Sequence, residues 1–209
     1  MRETRLLLIR HAETAAPNVF HGAESDVGLS PWGERQAALL GDRLAREQAS
    51  ALYCSGMRRA IATAGVVRLA CGLTPTVIQD LHERRIGPLS GQSREDGWEI
   101  YGESKRRWMT GDLEFTHPGG ESFAAIARRV LPILDDVRRR NEGRTSLVVA
   151  HGIVIRVALL SLLSDRDPAD FDDVAIDFAS INELAWDGSG WNARALNEVV
   201  APSPARPVA

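Results

Sequence analysis

Cysteine is nearly absent from this 209-residue sequence: Cys54 and Cys71 are the only two, with no Cys-x-x-Cys pair to suggest a disulfide framework or a thiolate metal site. Lysine is scarcer still. Lys105 is the only one, so cationic chemistry anywhere in the chain falls to arginine. Neither sign of charge dominates, since 25 Lys+Arg stand against 28 Asp+Glu for a net charge of −3, and nothing points to nucleic acid or an acidic membrane as partner. Long hydrophobic runs are missing as well. The apolar stretch after Met1, Leu6 to Ile9, is flanked by arginines and too short for a signal peptide, so the chain reads as soluble and cytoplasmic. There is no Gly-x-x-x-x-Gly-Lys loop and no internal repeat, which argues against nucleoside triphosphate chemistry.

What is present is a set of short, wholly apolar runs that end in reactive side chains. Leu6-Leu7-Leu8-Ile9 leads into Arg10-His11, and Leu147-Val148-Val149-Ala150 leads into His151-Gly152. Runs of this kind read as strands buried on both faces, as in a parallel sheet covered by helices. Open α/β sheets bind ligands at the carboxyl edge of their strands, so His11 and His151 are predicted to meet there although 140 positions separate them. Two further runs bring more chemistry to that edge: Ala51-Leu52-Tyr53 precedes Ser55 to Ala64 with Arg59, and Thr76-Val77-Ile78 precedes Leu81-His82-Glu83-Arg84.

The pattern predicts a single α/β domain over residues 1–200, a mostly parallel central sheet with helices on both faces, followed by a Pro-rich tail, 201–209, expected to be disordered. Strands are expected near 5–10, 51–54, 76–78 and 145–150. A first helix should start at Ser30, with Pro31 preset for its first turn and Ala37, Leu40 and Leu44 facing the sheet. A second should run from about Met57 to Ala70 and stop before Gly72. A third should start near Ser122 and carry Phe123, Ile126, Ala127, Val130, Leu134 and Val137 on one side as core, with a bend at Pro132. Asp187 to Gly190 reads as a hairpin turn between Ile181–Trp186 and Trp191–Leu196. The polar segment from Ser93 to Asp112, with Trp98, Tyr101, Arg106, Arg107 and Trp108, reads either as a lid over the site or as a solvated helix with one aromatic face.

These residues together resemble the histidine phosphatase superfamily, the family of cofactor-dependent phosphoglycerate mutases and of many small phosphatases. Arg10-His11-x-Glu13-Thr14 is similar to its Arg-His-Gly-Glu-Thr opening, and Ser55 to Ala64 to its Ser-Pro-Leu-x-Arg-Ala-x-x-Thr-Ala segment. Leu81-x-Glu83, Pro118-Gly119-Gly120-Glu121-Ser122 and Val149-Ala150-His151-Gly152 resemble its acid motif, its Pro-x-Gly-Glu-Ser turn and its second histidine motif. The likeness runs from about residue 5 to residue 197. Ala12 stands where the family has glycine, which predicts a methyl group against the phosphate, and the run from Thr14 to Asn18 is one residue longer.

The resemblance implies a phosphoglycerate mutase-like fold and phosphoryl transfer through a phosphohistidine. His11 would be the nucleophile, provided that its other ring nitrogen is held as a donor. Arg10 and Arg59 would bind the phosphoryl oxygens with forked donors, His151 would add another, and Asn18 and Gly152 would complete the substrate contacts. Glu83 would protonate the leaving alkoxide, which requires a site that keeps a glutamate protonated near neutral pH. No cofactor and no metal are expected. His11, Glu13, His21 and Glu24 can be drawn as metal ligands but lack a tight spacing such as His-Glu-x-x-His. The expected function is therefore a phosphomonoesterase for small phosphorylated metabolites. The alternative is a phosphoglycerate mutase, and a non-catalytic phosphate-binding module ranks lower because His11 and Glu83 are both present. The short 68-residue interval from Glu83 to His151 favours the hydrolase, while Arg84 and the pair Arg106-Arg107 resemble cations with which mutases hold a carboxylate. The expected partner is the small substrate, and a homodimer stays open.

Overall fold

A computed structural model describes residues 3–201. The chain runs β1 (Thr4–Arg10), α1 (Pro31–Leu44), β2 (Ala51–Ser55), α2 (Arg58–Cys71), β3 (Pro75–Ile78), α3 (Arg94–Met109), α4 (Phe123–Arg140), β4 (Thr145–Ala150), α5 (Gly152–Leu162), β5 (Ser180–Trp186) and β6 (Trp191–Val199). The strands form one sheet in the order β3-β2-β4-β1-β5-β6. β1, β2, β3 and β4 pair in parallel, and the β5–β6 hairpin adds to β1 in antiparallel fashion. The expected α/β class and the expected strands are all there.

Alternation along β1 explains the layering. Leu6 and Leu8 join one core with α4 and α5, whereas Leu7 and Ile9 join a second core with α1 and α2. All four are buried to within 1% exposure, so truncating any one of them to alanine should cost about 2–5 kcal/mol. Local signals set the helix ends. The Ser30 and Ser122 side chains accept from the backbone N–H groups of Gly33 and Ala125, and α2 stops at Gly72, whose φ of 68° suits glycine.

Three features differ from the sequence reading or extend it. α5 has no counterpart in it, because the stretch after His151 is apolar on nearly every side, as befits a helix wrapped in core, and shows no amphipathic period. α4 continues through Pro132, which removes one helical donor without ending the helix. Ala201, the first residue of the expected tail, is buried and its carbonyl accepts from Gln36 Nε2 at 2.9 Å; 202–209 lie outside the described residues. No helix among the described residues is long and apolar enough to cross a membrane.

Candidate active site

Register places the two histidines side by side. In the β1–β4 pair Arg10 sits opposite Ala150, and the His11 N–H continues the ladder to the Ala150 carbonyl at 3.0 Å. The next residue on each strand is then a histidine at the carboxyl edge, and the ring centroids of His11 and His151 are 5.1 Å apart.

His11 is held in the tautomer that a nucleophile needs. Its Nδ1 donates to the Ala12 carbonyl at 2.7 Å, which leaves the lone pair on Nε2. Burial, with Arg59 and Arg10 close by, pushes its pKa well below the ordinary 6.5, so the ring is neutral at physiological pH. Ala12 packs into the α1–α2 core and not against the cavity, so its methyl group does not crowd the site as expected; its N–H donates to Thr63 Oγ1 at 3.1 Å.

Arg10 and Arg59 flank this ring. Arg10 donates from Nη1 to the Ile176 carbonyl at 2.7 Å and lies 3.8 Å from the centroid of the Phe178 ring. Its Nε is buried with no hydrogen-bond partner, a donor that an anion would satisfy. Burial lowers its pKa to about 10, and it stays charged at neutral pH. Gly152 gives this guanidinium its room, since a Cβ at position 152 would lie 3.3 Å from Arg10 Cζ and Nε. Arg59 leaves the first turn of α2 fully buried. Its Nη1 and Nη2 are aimed by the carbonyls of Ser25 and Gly22 at 2.7 and 3.3 Å, and its Nε donates to His151 Nδ1 at 3.3 Å. That last bond fixes the His151 tautomer: Nε2 carries the hydrogen and donates to Ser55 Oγ at 2.8 Å. Burial, then Arg59, keeps the His151 pKa well below 6.5.

Glu83 is almost fully buried and engaged on both oxygens. Oε1 accepts from the Arg84 N–H at 2.8 Å, and Oε2 from the Ile153 N–H in the first turn of α5 at 3.3 Å. The helix end thus directs partial positive charge at the same place as the two arginines. Among the described residues no ion pair joins Glu83 to Arg84 or Arg85; Arg84 meets it through its backbone N–H alone.

A cavity of about 350 Å³ opens over these groups. Arg10, His11, Arg59, Glu83 and Gly152 line it. His151 lies behind His11 and Arg59 with both nitrogens engaged, and Asn18 is exposed outside the wall, its carbonyl accepting from the Arg94 N–H. Four more cations reach the cavity: Arg84, Arg94, Lys105 and Arg156. Arg84 is buried without a carboxylate ion pair, its guanidinium 4.4 Å from the Trp108 centroid and its Nε donating to the Glu121 carbonyl at 2.9 Å. Arg106 and Arg107, expected near the substrate, pair instead with Glu103 and Asp112 at 2.7 and 2.6 Å on the outer side of α3. The 93–112 segment combines both of its expected readings: α3 is a helix with an aromatic face, and Trp98 and Tyr101 on that face wall the cavity. Of the remaining histidines, His21 lines the cavity while its ring bonds Ser25 Oγ and the Ala16 carbonyl. His117 is buried against Ser104 and the Ile86 carbonyl. Among the described residues no group of three or more His, Cys, Asp or Glu is placed to hold a metal ion.

Arg94 and Arg156 escaped the sequence reading. Each sits on a helix whose orientation only the fold supplies, although a basic residue near a helix start close to a phosphate motif was a usable signal for both.

Comparison with known proteins agrees with this geometry. The chain is 30% identical over 196 residues to the metal-independent phosphoserine phosphatase of Arabidopsis thaliana, covering 90% of this chain and 81% of that protein. It is 34% identical over 160 residues to phosphoserine phosphatase 1 of Hydrogenobacter thermophilus, with 76% of each chain covered. Proteins named phosphoglycerate mutases are also among its relatives. The native structure of the mycobacterial glucosyl-3-phosphoglycerate phosphatase superposes with a TM-score of 0.79 at 26% identity, covering 94% of this chain and 99% of that one. Residues 6–199 match one family throughout, and the chain belongs to the histidine phosphatase superfamily (branch 1).

Proposed function

We propose that this chain is a phosphomonoesterase that hydrolyses small phosphorylated metabolites through a phosphohistidine on His11. One observation carries the reading: His11 Nδ1 donates to the Ala12 carbonyl, so a neutral imidazole offers its Nε2 lone pair in a cavity flanked by Arg10 and Arg59. Nε2 attacks phosphorus as the bond to the leaving oxygen breaks, and Glu83 gives its proton to the departing alkoxide. Water then attacks the phosphohistidine, Glu83 takes the proton of that water, and inorganic phosphate leaves. The guanidinium groups of Arg10 and Arg59 and the amino end of α5 match the charge on the equatorial oxygens. In this reading His151 orients Arg59 and reaches the phosphoryl group only by exchanging its Ser55 partner, and Asn18 acts at the rim.

Six cations line the cavity against Glu83 and Asp172, more than a phosphoryl dianion neutralises. That surplus leaves donors for polar groups of the leaving group, acids or hydroxyls, in keeping with relatives named phosphoserine phosphatases. A cytoplasmic location belongs to the same reading and agrees with Cys54 and Cys71 as free thiols. A monomer or the homodimer left open above would serve equally, because every group named comes from one chain.

The test is phosphate release. Purified protein should liberate inorganic phosphate from p-nitrophenyl phosphate and from phosphoserine without a bisphosphate primer. Primer-dependent interconversion of 2- and 3-phosphoglycerate, much faster than phosphate release, would replace the hydrolase with a mutase and leave the His11 chemistry standing.

A further inference from the structure

The cavity continues past the reacting groups to a wall of aromatic rings that phosphoryl transfer does not use. Phe20, from the loop after β1, packs against Trp98 and Tyr101 on one face of α3. The three ring centroids lie 4.9 Å (Phe20–Tyr101), 6.0 Å (Trp98–Tyr101) and 6.5 Å (Phe20–Trp98) apart, with planes inclined by 18–28°. Gly97 makes the arrangement possible, because a Cβ there would stand 2.9 Å from the Phe20 ring. Phe20 is buried by this stack, yet Trp98, which lines the cavity, is 52% exposed. An indole left half in water at the wall of this cavity, beside two near-parallel rings, is a surface built to be covered.

Polar groups stand beside that surface. Lys105 Nζ lies 5.9 Å from the Trp98 centroid and is gripped by both carboxylate oxygens of Asp172 at 2.9 Å. The Arg94 guanidinium lies 5.6 Å from the Phe20 centroid, and its side chain has no ion pair among the described residues. All of these residues line the same cavity as His11. The cavity volume falls in the range of small-molecule sites, with room for more than a phosphoryl group.

We propose that Trp98, backed by Phe20 and Tyr101, is a stacking platform for a sugar ring in the leaving group of the substrate, with Lys105, Asp172 and Arg94 meeting the hydroxyls of the ring. The proposal rests on the phosphomonoesterase reading and narrows it to a substrate class. A pyranose presents an apolar C–H face to an aromatic plane and hydroxyls around its edge, which charged donors and an acceptor bind. The charged donors and the acceptor that ring Trp98 suit a ring edged with hydroxyls. A flat nucleobase has few such groups for them to bind.

The experiment compares glucose 6-phosphate, glycerol 3-phosphate and AMP, all esters of primary alcohols, on the wild type, Trp98→Ala and Trp98→Phe. Trp98→Ala should lower kcat/KM for glucose 6-phosphate about tenfold and leave glycerol 3-phosphate within about twofold, while Trp98→Phe retains most of the preference. Calorimetric titration of glucose 6-phosphate into His11→Ala and into the double variant with Trp98→Ala should show the same tenfold change in Kd. Equal losses on all three esters, a larger loss on AMP, or unchanged Kd would overturn the platform. If the wild type releases phosphate from none of the three but does so from p-nitrophenyl phosphate, the hydrolase reading stands and the titration decides the platform by itself; if it releases none from p-nitrophenyl phosphate either, the hydrolase reading fails and the titration still decides the platform.

Discussion

Acidification below pH 6.5 should destabilise the folded protein steeply, because its active site buries two neutral imidazoles. Burial, reinforced by Arg59 and Arg10, holds His11 and His151 well below their ordinary pKa of 6.5. In the unfolded chain both titrate near that value. As the pH falls, the unfolded chain takes up two protons that the folded site refuses, so stability is complete above about 6.5 and is lost on the way down to the folded pKa. At pH 5.5 the loss amounts to about 1.4 kcal/mol for each histidine, about 3 kcal/mol for the pair, out of a total of about 5–15 kcal/mol for an ordinary domain. His21 and His117, lowered chiefly by burial, act in the same direction, whereas carboxylates titrate lower still. Urea unfolding at pH 7.5 and 5.5 reads the difference. The wild type should lose about 3 kcal/mol, and His11→Asn and His151→Asn should each lose about 1.4 kcal/mol less than the wild type. A stability that stays flat between the two pH values, or variants as acid-sensitive as the wild type, would refute the claim that these rings are kept neutral.

Two substitutions test the groups around His11. Glu83→Gln should slow hydrolysis of glycerol 3-phosphate by about 10²–10⁴-fold, the usual range for a lost general acid, and slow p-nitrophenyl phosphate far less, since its phenolate leaves unaided; equal losses would mean that Glu83 only positions its neighbours. Gly152→Ala brings a Cβ to 3.3 Å from the Arg10 guanidinium and must push it by a few tenths of an ångström. That shift should cost about three- to tenfold in kcat/KM with little change in Tm, and a fully active variant would show that the close packing of Arg10 on Gly152 is not needed.

Most of the site was legible because it follows from strand ends. Leu6 to Ile9 and Leu147 to Ala150 are apolar at every position, which only a doubly covered strand explains, and the residue after such a strand lands at the ligand-binding edge. His11, Arg59 and Glu83 were therefore expected at that edge, and all three line the one cavity. What escaped depended on contacts between elements distant in sequence. The exposed Arg106-Arg107 pair looked as available as Arg84, and only the fold turns Arg84 inward against Trp108 while Glu103 and Asp112 hold the others outside. Asn18 fell outside the cavity wall because the loop that carries it is ordered by backbone bonds to the start of α3, which no local pattern announces. α5 was invisible for the opposite reason, since a helix buried on most sides has no polar face to give it a period.

The most direct test of the account is to trap the intermediate. Protein mixed with p-nitrophenyl phosphate and quenched in alkali within milliseconds should carry one phosphoryl group on His11, stable to base and lost in acid, located by peptide mass spectrometry; Glu83→Gln should give the same adduct. Absence of the label in the wild type during steady turnover, or its appearance on His151 or on a serine, would contradict the assignment of His11 as the nucleophile.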